Sequence, residues 1–169
     1  MTTPTPKKRL DVKRKALIVA AAAAVAAPME GLRQVAYYDP PGVLTVCYGS
    51  TKNVEKGRVY SVAECKARLS ADMLEAVETV DRCVPGLPDG PLIAFSDAVF
   101  NLGPTIACNK QKSTAARMLA AGDISGACRQ LPRWSYASVS GVSVQLPGLV
   151  KRRAAEMSIC LGGVAGERS

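Results

Sequence analysis

Histidine is absent from this chain of 169 residues. That removes His-based catalytic triads, His-ligated zinc sites and imidazole general bases together. Acid–base chemistry must rest on carboxylates, with Lys, Cys or Tyr as weaker candidates. Aromatic residues are scarce, at 5% of the chain. With no nucleic-acid recognition motif, this argues against a nucleic-acid partner in spite of a formal charge of +8. None of the six cysteines stands in CxxC spacing, so neither a zinc ribbon nor a thioredoxin-like motif is supported. There is no internal repeat, and no low-complexity tract apart from a run of alanines.

The apolar run Ala16–Ala27 (ALIVAAAAAVAA) is twelve residues long, short of the roughly 18 expected of a stable spanning helix. Ahead of it lie Lys7, Lys8, Arg9, Lys13, Arg14 and Lys15, about a quarter of all the basic residues, offset only by Asp11. A basic flank, a short apolar segment and an Ala-x-Ala ending at Ala27 have the form of an export signal; a soluble alanine-rich helix is the alternative. The division expected is a basic leader with a signal-anchor-like segment over 1–27 and one domain over 28–169, large enough for its own core. A basic surface suits an acidic polymer, anionic lipid or nucleic acid, and charge alone does not choose.

Cys47, Cys65, Cys83, Cys108, Cys128 and Cys160 all lie beyond the apolar run. An even number in an exported domain reads as up to three disulfides, with the pairing open. Free buried thiols are the alternative.

Met29–Ala36 reads as a short helix, and Tyr37–Tyr48 as a turn and hairpin around Asp39-Pro40-Pro41-Gly42, with a further short strand at Arg58–Tyr60. Ser61 and Glu64 form a capping box. The helix they open places Cys65, Leu69, Met73, Ala76, Val77 and Val80 on one face. Leu92–Leu102, opened by Pro91, is apolar around most of its surface and is expected to be the central buried helix. Two short helices follow, near Ser113–Ala121 and Ile124–Leu131. Residues 135–145 read as a surface loop or short hairpin, and a last helix over Leu149–Leu161 is expected to stop at Gly162-Gly163. The fold class is α+β, with the β part confined to an N-terminal lobe and a mainly helical C-terminal lobe.

Glu30 stands near the start of the helix expected over 29–36, in apolar company, Asp39 opens the turn, and Thr45 lies on the strand behind it. Hydrolysis of a glycosidic bond needs one carboxyl kept protonated and another kept ionised across the substrate. A helix and a hairpin can face two carboxyls across a cleft. Taken residue by residue, each also has an ordinary role: a favourable charge near a helix N-terminus, a turn former, a strand threonine.

The spacing carries more. Asp39 follows Glu30 by nine residues and Thr45 follows by six more, within EGLRQVAYYDPPGVLTVCYGST. This resembles the Glu, eight residues, Asp or Cys, five residues, Thr signature of the phage lysozymes of the T4 and lambdoid type. Cys47 departs from it where many relatives have Gly. SVAECKARLSAD, AFSDAVFNLG, STAARML, GDISGACRQLPRW and GLVKRRAAE continue the resemblance in order to about Leu161. It implies a lysozyme-like fold and an endolysin that cuts the β-1,4 bond between N-acetylmuramic acid and N-acetylglucosamine in peptidoglycan, a bacteriolytic activity serving host-cell lysis.

By the resemblance, Glu30 is the general acid, Asp39 stays ionised to stabilise oxocarbenium-like charge, and Thr45 holds the attacking water, with inversion. An Arg from the late helix, Arg152 or Arg153, is expected beside Glu30. Tyr48, Asn101 and Gly103 are candidate cleft residues; Trp134 is a core plug or a sugar platform. No metal and no cofactor is implied, and a monomer is expected. The leader resembles that of signal-arrest-release endolysins, held in the host inner membrane through residues 16–27, facing the periplasm, until freed. With no cysteine in the apolar run, control by tethering and refolding is expected rather than disulfide exchange. The competing function is a non-enzymatic secreted wall-binding module that keeps the fold without needing Glu30.

Overall fold

The computed structural model describes residues 10–166, so the leader cations Lys7, Lys8 and Arg9 lie outside the described residues. Helix α1, Val12–Glu30, opens on an Asp11 side chain that accepts from the Arg14 amide at 2.9 Å. It runs unbroken through the alanine tract and past Pro28. Ile18, Val19, Ala22 and Ala26 recur on one face and are buried in the main core. Among the described residues no helix is long and apolar enough to cross a membrane.

The leader's cations serve the packed helix. Arg14 reaches Asp89 Oδ1 and the Leu87 carbonyl, both at 2.7 Å, and Lys15 reaches Glu78 at 2.9 Å.

The helix expected over 29–36 does not form. Gly31 takes a positive φ of 71° and ends α1. The β-favouring residues behind it become β1, Arg33–Tyr38, antiparallel to β2, Leu44–Cys47. Tyr37 pairs with Thr45 and Tyr38 with Leu44, and the register shifts between Arg33 and Tyr37. The short strand expected near Arg58–Tyr60 is an isolated bridge between Val35 and Val59.

Helix α2, Val62–Cys83, has its capping box made in both directions, and its buried residues are the six read from the periodicity. Helix α3, Asp89–Leu102, is the central helix, with Phe95 and Ala98 fully buried. It packs on α1, α2 and α7, the last spanning Pro147–Gly166. Between them lie α4 (Thr105–Cys108), α5 (Thr114–Ala121), α6 (Ile124–Cys128) and a 3-10 turn, Leu131–Trp134.

Two further expectations are corrected. The β structure is not confined to the N-terminal lobe, because β3 (Tyr136–Val139) and β4 (Val142–Gln145) form a second hairpin turning at Ser140-Gly141. Nor do Gly162 and Gly163 stop α7. Gly163 lies against Gly90 of α3, where an added Cβ would stand 2.6 Å from the Gly90 Cα. The glycine admits a close helix crossing rather than a terminus.

All six cysteines are paired: Cys47–Cys65 ties β2 to α2, Cys83–Cys108 ties α2 to α4, and Cys128–Cys160 ties α6 to α7. The architecture is α+β, a small N-terminal sheet beside a mainly helical body.

Candidate active site

Glu30 does not stand near a helix start as expected; it is the last residue of α1, because Gly31 ends that helix, and α1 delivers it to the junction of the sheet and the helical body. Its side chain retains 22% exposure. It lines a cleft of about 400 Å³ together with Tyr48, Gly49, Lys52, Asp72, Glu75 and Asn101. Gly49 has φ of 85°, and the Glu30 carboxyl lies 3.7 Å from where a Cβ there would stand.

Of the two candidate arginines, Arg152 is the one beside Glu30, donating from Nη1 to Oε1. The same guanidinium binds Asp97 through Nε at 2.9 Å and Nη2 at 2.8 Å, and Asp97 is fully buried in α3. A two-point fork fixes the plane of the guanidinium, and so where its remaining nitrogen points. The Phe100 ring lies 5.9 Å from the same group. Burial works against the Arg152 charge, but Asp97 and then Glu30 outweigh it and hold its proton more tightly than in free arginine.

Arg153, one position on, faces the other way along α3. It donates from Nη2 to Asn101 Oδ1 at 2.9 Å and stands 2.7 Å from Glu156 Oε1. Glu156 is fully buried, and its nearest approach to Arg152 is 3.7 Å. Neither of its oxygens receives a well-directed hydrogen bond from the guanidinium groups. Burial, reinforced by the neighbouring Asp97 carboxyl, pushes Glu156 up to about 9. Burial also lowers Arg153 from its ordinary value, against the pull of Glu156.

Asp39 and Thr45 come together on the hairpin. Asp39 Oδ1 accepts from the Val43 amide at 2.7 Å, and Thr45 Oγ1 lies 3.4 Å from Oδ2 while donating to the Val43 carbonyl at 3.0 Å. Thr45 is 3% exposed, and Asp39 is half-buried. These two residues do not line the cleft walled by Glu30.

Tyr48 and Asn101 are cleft residues; Gly103, which ends α3 at a φ of 82°, is not, although its neighbour Pro104 is. Trp134 packs against the main core and borders a separate depression with Gln130 and Arg133, away from Glu30. Among the described residues no cluster of carboxylates and cysteines has the makings of a metal site.

Sequence reasoning passes over Asp97 and Glu156. The signal for Asp97 was a charged residue inside a helix apolar on nearly every side, since such a group is buried only with a partner. Glu156 stands four residues from Arg152 and three from Arg153, the spacing of ion pairs along a helix.

Comparison with known proteins decides the family. Residues 27–156 match the family described as phage lysozyme. The chain belongs to the phage lysozyme family. It is 40% identical over 137 residues to a SAR-endolysin of Bacteriophage PS119, covering 80% of this chain and 78% of that protein. The SAR-endolysin of Enterobacteria phage P21 is 38% identical, with 80% and 79% covered. Among solved structures, the muramidase domain of SpmX from Asticaccaulis excentricus aligns at a TM-score of 0.75, with 29% identity over 83% of this chain and 95% of that one. The active form of the P1 phage endolysin Lyz aligns at 0.72, with 23% identity over 92% and 96%. As a family member the chain is a lysozyme-type glycoside hydrolase of the endolysin kind, and peptidoglycan is its substrate. Against this, a wall-binding module without catalysis is not supported.

Proposed function

We propose that Glu30 is the general acid of peptidoglycan hydrolysis, protonating the oxygen that leaves the β-1,4 bond between N-acetylmuramic acid and N-acetylglucosamine. Asp39 stays ionised, stabilises oxocarbenium-like charge and orients the water, and Thr45 holds that water on the opposite face, giving inversion. The observation that carries the reading is the setting of Glu30: a part-buried carboxyl on a cleft wall, held by an arginine that Asp97 fixes from behind. The Asp39 carboxylate accepts the Val43 amide and stands beside the Thr45 hydroxyl, so the hairpin fixes the two side chains as one unit.

Replacing Glu30 by Gln tests this. Lysis of bacterial walls in a zymogram should fall by about a hundred- to ten-thousand-fold, the usual contribution of a positioned acid, with the circular dichroism of the fold unchanged. Activity within about tenfold of the parent would end the assignment.

The second part of the reading concerns the leader. Residues 16–27 act first as a signal anchor in the host inner membrane, with the basic flank cytoplasmic and the enzyme facing the periplasm. They then leave the bilayer uncleaved and fold as α1. Support comes from the continuity of α1, which carries Ala16–Ala27 and Glu30 on one element and seats Ile18, Val19, Ala22 and Ala26 in the core. Removal of residues 1–27 would take away the support that sets the position of Glu30. N-terminal sequencing of soluble enzyme after membrane depolarisation should find chains beginning near Met1 or Thr2. Fully active chains beginning at Pro28 would refute uncleaved release.

A further inference from the structure

We infer that Glu156 is a positioning residue that shares a single proton with Glu30 through the Arg152–Asp97–Arg153 cluster, so that the charge of one carboxyl decides whether the other is protonated. The inference rests on reading Glu30 as the acid, but its main test does not.

An arginine beside a carboxyl favours the ionised form, whereas a general acid has to enter the reaction protonated. Arg152 is held against Glu30 by Asp97, so the reaction needs a second carboxyl that can take over the role of counter-ion. The remaining members of the cluster change the balance. Two guanidiniums, Arg152 and Arg153, stand among three carboxyls: Glu30, Asp97 and Glu156. Arginine does not give up its proton in proteins. Both arginines, Asp97 and Glu156 are 3% exposed or less, so an uncompensated charge there is costly. The cluster is neutral only with one proton on the carboxyls. Asp97 takes the two-point fork of Arg152 and is the least suited to hold it. Glu156 and Glu30 are left as the two seats.

The neighbours leave this count intact. On α3, Asn101 is neutral and Asp89 is paired with Arg14 at the far end. On α6 the only titratable type is Cys128, which is in a disulfide. Arg133 of the 3-10 turn is exposed and bonded to Gln130. In the cleft, Lys52 pairs with Glu75, and Asp72 lies beside them. The upward displacement of Glu156 to about 9 fits a resting state in which it holds the proton while Glu30 pairs with Arg152.

In the reactive state the proton is on Glu30, and the Asp97 and Glu156 carboxylates balance the arginines. Glu30 then gives its proton to the leaving oxygen as the C–O bond breaks. The water adds to the sugar carbon on the opposite face and its own proton leaves to solvent; the part-exposed Glu30 then takes a proton back from solvent, which returns the cluster to one proton and to neutrality.

Infrared spectroscopy of the full-length soluble protein near neutral pH tests the count. The parent should show the carbonyl band of one buried protonated carboxyl. Glu30→Gln should abolish it, because Glu156 is then needed as a carboxylate. Glu156→Gln should abolish it too, because Glu30 is then the counter-ion. A band that survives in Glu30→Gln would overturn the proposal, and that variant changes a part-exposed side chain of nearly equal volume, so it reports even if Glu156→Gln does not fold. Folded Glu156→Gln should also lose kcat with little change in KM, its alkaline activity limb moving down by about one pH unit or more; an unmoved limb would count against the proposal. If the parent does not cleave walls, the assignment of Glu30 as acid fails while the infrared result still stands.

Discussion

Gly90 of α3 and Gly163 of α7 meet backbone to backbone. A Cβ on Gly90 would stand 2.5 Å from the Ile159 carbonyl oxygen and 2.7 Å from the Gly163 Cα. The crossing brings the two helices that carry Asp97 and Arg152 into contact, so it sets the depth at which the Arg152 fork is held. Gly90→Ala should therefore cost about 1–3 kcal/mol, the usual range for overpacking, although alanine is the better helix former. The denaturation midpoint in urea measures it. A midpoint equal to or above the parent's would mean that the helices can separate freely.

That contact shows where sequence reading stops. The pair Gly162-Gly163 has the composition of a helix end, and only the approach of α3 explains why the helix continues. Local signals served better where the cause is local. The Ser61–Glu64 capping box and the six-residue buried face of α2 were legible because both depend on neighbours within the same helix. The spacing of Glu30, Asp39 and Thr45 was also legible; the fold sets Asp39 and Thr45 side by side on the hairpin, while neither lines the cleft walled by Glu30. Disulfide pairing was not, because a cysteine's partner is chosen by tertiary packing: Cys128 meets Cys160 across 32 residues. Asp97 escaped notice for the same reason, since its arginine reaches it from 55 residues away; Glu156 has its arginines on the same helix, but its burial is set by tertiary packing.

Glu156 has a consequence for stability as well as for chemistry. Its native value is raised, to about 9, above that of an exposed glutamate. The native protein then holds a proton that the unfolded chain has released, so the contribution is fully present below the ordinary carboxylate range and is lost as pH rises toward about 9. The parent's stability should fall across that window by up to about 1.4 kcal/mol per pH unit from this group. Glu156→Gln should lose that slope, so the variant gains on the parent with rising pH. Paired urea titrations at mildly acidic and mildly alkaline pH give the difference. Parallel curves at both would show that Glu156 is ionised in the folded state.

The Cys128–Cys160 bridge ties α6 to the helix that carries both arginines. Mass spectrometry after alkylation without reductant should find none of the six cysteines labelled. Replacing both Cys128 and Cys160 by Ala should lower stability by about 2–4 kcal/mol, with activity retained by the fraction still folded. Labelled cysteines in active parent protein would contradict the pairing.

The last prediction separates the two lives proposed for the alanine-rich helix. Ala22 is fully buried where α1 lies in the main core. Leucine in its place should act on both states in the same direction. In the folded state its extra carbons have no space and force neighbours aside, at a cost of about 1–3 kcal/mol. In the membrane the same atoms strengthen the hold of residues 16–27, because leucine at the centre of a spanning segment is favourable by a few tenths of a kcal/mol or more. Docking is weakened and anchoring is strengthened, so Ala22→Leu should shift the chain toward the membrane fraction and delay release on depolarisation. Ala20→Leu is the control, since Ala20 is exposed on α1 and its replacement strengthens anchoring without crowding the core. Fractionation of cells before and after depolarisation, with soluble wall-lytic activity as the readout, should rank release as parent, then Ala20→Leu, then Ala22→Leu. Equal release from all three would mean that neither bilayer affinity nor the docking of α1 governs escape.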